Sequence, residues 1–219
     1  MRRRGITLIE LAIVLAIIGI LVAITVASLG GLKSRTSFNA AANQVVSEVR
    51  RTRLESLNRG TYTVFVIDAN TQNWYGAQTN TPLNNPASVV TWLTTFAGAP
   101  AACNAAPGCL VFTRGQLPDW PSAFFPNATH PGTAYSGLPA PLSAITSTTA
   151  CNFCMTTTPV RWGAVAFAPG GSVTFSVDPG AIGGQFTMNG ERDTVAAARR
   201  IKTVAIVSRD GLIEAYDKP

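Results

Sequence analysis

Glu10 carries the sharpest chemical demand in this chain. It is a lone carboxylate at the head of an apolar run, Leu11 to Leu29, and the basic stub Arg2-Arg3-Arg4 lies upstream. An ionisable group at the mouth of a membrane-length helix costs on the order of 2.5 kcal/mol or more if unpaired. No cation stands near it on the helical side, so the pattern asks for a positive partner from elsewhere. The thiols come next. Cys103 and Cys109 form one local pair, Cys151 and Cys154 another. An even count favours disulfides wherever the compartment is oxidising. Local pairing is the preferred connectivity, and crossed pairing would instead tie two loop regions together. A zinc site from four thiolates is the alternative, although only Cys151-Asn-Phe-Cys154 has the spacing of a zinc knuckle. The same spacing occurs in redox motifs, but no thioredoxin-like strand and helix surround it.

No catalytic constellation is visible, and neither a cofactor nor a metal is expected. His130, the sole histidine, sits in Thr129-His-Pro-Gly132, a loop by composition. Gly170-Gly171 and Gly183-Gly184 lack the Gly-Lys-Ser/Thr that a phosphate loop needs. Asp119, Asp178, Asp193, Asp210 and Asp217 are scattered without the spacing of a calcium loop. Two basic clusters remain, Arg50-Arg51-Thr-Arg53 and Arg199-Arg200-Ile-Lys202. Basic surface can hold a nucleic-acid backbone through counterion release, which makes Arg199, Arg200 and Lys202 candidate DNA contacts. Aromatic residues do not interleave with them, and solvated faces or salt bridges to adjacent subunits explain them as well.

The elements that must position these groups follow from periodicity. Residues 11–29 are about long enough to cross a ~30 Å hydrocarbon core. Gly30-Gly31 is a soft joint, since each glycine costs a helix about 1 kcal/mol. Helical spacing then resumes with Phe38, Ala42, Val45, Val49 and Leu57, and Asn58-Arg59-Gly60 reads as a stop. One helix over 6–59 is expected, apolar all round in its first half and amphipathic in its second. Two helices broken at the glycines are the alternative. Strand signals follow at Tyr62–Ile67, with a turn at Asp68–Thr71 leading into Trp74-Tyr75. Residues 78–159 hold all four cysteines and read as a loop-rich insertion, with short strands at Val89–Leu93 and Leu110–Thr113. Strand patterns return at Val160–Phe167 and Ser172–Val177, flanking Pro169-Gly170-Gly171. They recur at Lys202–Ser208 and Leu212–Tyr216, flanking Arg209-Asp210-Gly211. Asp178–Arg192 is Gly-rich and reads as loop.

Composition bounds the class. The chain has 219 residues, so one soluble domain can follow the helix. Charged residues make up 13%, about half the usual ~25%. Thr, Ser, Asn, Gly and Pro replace them, which fits an extracytoplasmic surface.

The segment Gly5-Ile6-Thr7-Leu8-Ile9-Glu10, behind a basic leader and before a long apolar run, resembles the class III signal of type IV pilins and type II secretion pseudopilins. The one departure is Ile6, where Phe is commonest. An ordinary secretory signal peptide would lack Glu10, and a plain single-pass anchor would not explain it. The resemblance implies that prepilin peptidase cuts between Gly5 and Ile6 and that Ile6 is N-methylated. It also implies that Glu10 meets that amine on a neighbouring subunit. Cleavage would remove three of seventeen basic residues and bring the formal charge from +6 to about +3.

Residues 41–59 and the two C-terminal strand pairs, with Pro-Gly-Gly and Ser208-Arg-Asp-Gly211 at their turns, resemble the GspH/FimT branch of minor pilins and pseudopilins. That branch implies an α+β fold: a long N-terminal helix packed on a C-terminal all-β domain of two antiparallel sheets. The expected organisation is a leader at 1–5, a pilin helix at 6–59 with 11–29 in the membrane, and a globular domain at 60–219. The implied function is a minor pilus subunit acting in filament priming or at the tip. The alternatives are a minor pseudopilin of type II secretion or a tip pilin that binds DNA or a surface. The implied partners are other pilins, prepilin peptidase and the bacterial inner membrane, before a periplasmic or extracellular filament.

Overall fold

A computed structural model of the chain describes residues 8–96, 100–117, 123–126, 137–140, 142–145, 149–155, 162–177, 182–190 and 200–217, with backbone only at 10, 23–35, 100 and 200. The chain divides into two compact units, Met1–Ser37 and Phe38–Pro219. Helix α1 (Leu8–Arg59) has 52 residues, and the glycine pair expected as a joint lies inside it. From Phe38 onward one stripe is buried: Phe38, Ala41, Ala42, Val45, Val46 and Val49. Leu57 was expected to continue this stripe but is 42% exposed; Thr52 and Ser56 are buried in its place. Their hydroxyls donate back to helix carbonyls, Thr52 to Glu48 and Ser56 to Arg53, at 2.8 and 2.7 Å. A buried hydroxyl satisfied within its own helix reads as polar in sequence while packing as a small apolar group. The helix stops as expected at Gly60, whose φ of 62° suits a left-handed cap.

The fold is α+β with two antiparallel sheets. The first contains β1 (Tyr62–Asp68), β2 (Asn73–Thr79), β3 (Cys109–Gln116), β4 (Trp162–Phe167) and β5 (Val173–Phe175), in the order β3-β2-β1-β4-β5. The second contains β6 (Gly183–Gly190), β7 (Arg200–Val207) and β8 (Ile213–Asp217), in chain order. Phe65, Ile67, Trp74, Val165 and Phe167 on the inner face of the first sheet meet the α1 stripe and the second sheet's Phe186, Met188, Val204 and Ile206. The outer face, with Val64, Val66, Tyr75, Ala77, Ala164 and Ala166, is covered by Leu83, Val89, Trp92 and Leu93. Leu83 precedes helix α2 (Pro86–Phe96), which supplies the other three, and α3 (Pro100–Ala105) lies beside it.

Two further expectations need correction. Val89–Leu93 is not a strand but the middle of α2. Asn85 caps the helix, accepting the Ser88 N–H at 2.9 Å, and Pro86 takes the first turn, where its missing N–H costs nothing. Val89, Trp92 and Leu93 then fall on one buried side. Asp178–Arg192 is not all loop, because β6 occupies Gly183–Gly190 and every residue of it is buried. Its glycines are there for close approach. A Cβ at Gly183 would lie 2.2 Å from the Ile206 carbonyl oxygen, and one at Gly184 would lie 2.5 Å from the Phe175 ring.

Residues 149–155 form a wedge at the seam between the sheets. Cys151 bridges to Phe186 of β6, and Cys154 bridges to Gly163 of β4. Phe153 between them is fully buried, 5.2 Å from the Phe175 ring and 6.2 Å from the Phe186 ring. On the far side, the Val173 N–H of β5 donates to the Ser208 carbonyl at 3.0 Å, beyond the end of β7. Phe153→Ala is therefore expected to lower unfolding free energy by about 3–5 kcal/mol. Urea midpoints of the two proteins check this, and a loss under about 1 kcal/mol would mean that the wedge does not join the sheets.

Candidate functional site

The first candidate site is the start of α1. Gly5 and Ile6 lie outside the described residues. Glu10 lies within α1, near the beginning of its described part, and its side chain also lies outside the described residues. From Leu8 to Val22 each described side chain is exposed, with Leu8 at 86% and Ile20 at 61%. A continuous apolar surface of this kind marks a membrane or protein contact. Among the described residues no helix is long and apolar enough to cross a membrane. The expected span, 11–29, extends past Val22 into positions whose side chains are not among them.

The basic residues of α1 are mostly engaged within the fold. Arg50 donates to the Ile213 carbonyl at 3.2 Å, and Arg53 donates to the Asp210 carbonyl at 2.6 Å. Both acceptors belong to the last hairpin, so the two guanidiniums hold the helix to β8 and its turn. Arg51 pairs with Glu48 at 3.6 Å and lies 6.0 Å over the Phe112 ring. In the second cluster, Arg199 and the side chain of Arg200 lie outside the described residues. Lys202 is 7% exposed. Its ammonium donates to Asn43 Oδ1 at 2.9 Å and pairs with Asp217 Oδ1 at 3.3 Å. Asp217 stands directly across from Lys202 in the β7–β8 register. Lys202 thus ties α1 to the second sheet. A basic residue on a strand facing an exposed Asn beside the buried helix stripe is the signal that reading by charge cluster overlooks.

The cysteines form two local disulfides, Cys103–Cys109 and Cys151–Cys154, with Cα separations of 5.1 and 5.4 Å. The first closes α3 onto the start of β3, and the second closes the seam wedge. Both pairs match the preferred connectivity, and no thiol in the chain is left to ligate zinc. His130 lies outside the described residues. Among the described residues no group of three or more His, Cys, Asp or Glu could hold a metal ion. Tyr75 is buried under α2; that burial, with the Asp68 carboxylate second, pushes its phenol well above the usual range, so it stays protonated.

Residues 1–26 match the family model described as the prokaryotic N-terminal methylation motif. No curated protein and no solved structure matches the chain. The motif supports a type IV pilin-like protein, made for assembly with other pilins and for processing by a prepilin peptidase. Such a motif implies membrane anchoring followed by a place in a filament.

If Lys202 ties helix to sheet, Lys202→Met should cost about 0.5–1.5 kcal/mol, the ordinary worth of its bond to Asn43, since water can reach both exposed partners. Asp217→Asn should cost less, since Asp217 is exposed enough for water to replace the pair. Thermal melts of the two variants against the parent test that order, and equal losses would contradict it.

Proposed function

We propose that this chain is a minor subunit of a type IV pilus-class filament, acting in priming or at the tip, and that it belongs to the GspH/FimT branch. The observation that carries the reading is the methylation motif at residues 1–26, running into a helix whose exposed apolar side chains continue to Val22. The branch assignment draws support from the two C-terminal hairpins. β4 and β5 flank Pro169-Gly170-Gly171, and β7 and β8 flank the turn at Ser208–Gly211. A minor pseudopilin of type II secretion would share all of these features, and where the filament ends up decides between the two.

In this reading the N-terminal helix does the work. Prepilin peptidase cuts between Gly5 and Ile6 and methylates the Ile6 amine. The apolar run holds the chain in the inner membrane and later packs against like helices. Glu10 sets the stagger, because any packing that leaves it without a cation is penalised. The amine of Ile6 on a neighbouring subunit is that cation. Residues beyond 60 carry what distinguishes this subunit from its neighbours.

Glu10→Val is expected to insert normally and to fall at least about tenfold in filament incorporation, the effect of losing ~1.4 kcal/mol. Quantitative mass spectrometry of sheared filaments and of membranes measures both. Wild-type incorporation by this variant would remove the assembly role from Glu10. The same spectra test the processing: a mature N-terminus at methylated Ile6 supports the reading, and an intact Met1 terminus in filaments refutes it. Processed chain confined to the envelope would favour the secretion pseudopilus.

A further inference from the structure

Strand β3 is the last strand of the first sheet, and among the described residues its outer edge is only half covered. At its start, the Cys109 N–H donates to the Ala106 carbonyl at 3.2 Å, and the Val111 N–H donates to Asn104 Oδ1 at 2.7 Å. Both caps come from α3 or the residue after it. The register then shifts between Gly76 and Ala77, leaving Phe112 as the extra residue. From Thr113 to Gln116, no strand among the described residues pairs with the outer edge. A row of unpaired N–H and C=O groups is a template for another strand.

Charge marks the same place. Between Asp68 and Asp119 the sequence holds one charged residue, Arg114. It is exposed, it lies on the open half of β3, and no described carboxylate pairs with it. Depressions flank it on both sides. One of about 430 Å³ is bounded by Asn73, Tyr75, Arg114 and Gln116. Another of about 370 Å³ is bounded by Ala101, Asn104, Phe112 and Arg114. Strand addition works in this way, with main-chain bonds giving affinity and hollows for side chains giving selectivity.

We propose that the open half of β3 receives an extended strand from a different protein, with a carboxylate on that strand meeting Arg114. A second copy of this chain is disfavoured as the occupant. Pairing β3 with its own copy brings Arg114 near Arg114, and like charges across a strand pair are destabilising. An acidic strand turns the same residue into a charge-assisted contact.

The test uses the full chain in detergent micelles and a fluorescein-labelled peptide, Thr-Val-Thr-Glu-Val-Thr-Val. Three comparators are the same peptide with Lys in place of Glu, the peptide N-methylated at alternate amides, and the variant Arg114→Ala. Fluorescence anisotropy should show saturable binding below about 1 mM. Arg114→Ala and the Lys peptide should each weaken it at least about tenfold, and N-methylation should abolish it. Arg209→Ala, an exposed charge on the last turn, should leave it unchanged. No binding at about 1 mM overturns the proposal. So does binding indifferent to N-methylation or to Arg114. Self-association of the chain that Arg114→Ala abolishes would assign the edge to a second copy and likewise overturn it.

Discussion

Strand β1 lies between β2 and β4, and its side chains are buried on both faces. Each residue from Thr63 to Ile67 must therefore find cover in one of two different places. Phe65 and Ile67 find it against α1 and the second sheet; Val64 and Val66 find it under α2. A solitary sheet with one helix layer would leave the second set in water. The covering layer, Leu83, Val89, Trp92, Leu93 and Cys103, is for this reason part of the core. Its Cys103–Cys109 disulfide closes that layer at the point where it turns back into β3.

The two sheets meet along a seam that is not itself a strand pairing. The wedge at 149–155 bonds to β4 on one side and β6 on the other, with Phe153 filling the space between. Ser208 performs the corresponding task at the opposite margin through Val173. Helix α1 lies over both sheets from Phe38 on, and Arg50, Arg53 and Lys202 fasten it to the last hairpin. Basic residues that seemed free by sequence thus act as struts, and Arg114 is left as the exposed cation of the 69–118 stretch.

Much of this was legible in the residues. The run from Tyr62 to Ile67, the two C-terminal hairpins, the helix stop at Gly60 and the local cysteine pairs follow from propensity, turn chemistry and spacing. Three features did not follow, each for a physical reason. Val89–Leu93 is β-branched and aromatic, yet the Asn85 cap and Pro86 start a helix there. Gly183–Gly190 looks like a loop because glycines usually mark one, whereas here they let β6 approach Ile206 and Phe175. Thr52 and Ser56 pass for surface residues because their hydroxyls are satisfied inside the helix. At the candidate site, Gly5, Ile6 and Glu10 rest on motif alone, while the engagement of Lys202 depends on contacts 159 positions apart in sequence.

The fastening of α1 by the last hairpin orders events in time. Residues 38–59 are made about 140 residues before β7 begins, an interval on the order of 10 s at ribosomal rates. Throughout that interval the helix has neither the completed second sheet to pack against, nor the carbonyls that Arg50 and Arg53 will meet, nor Lys202 for Asn43. Contacts of such long sequence separation form late and slowly. The nascent chain must therefore hold part of an apolar helix face uncovered until its final hairpin has arrived.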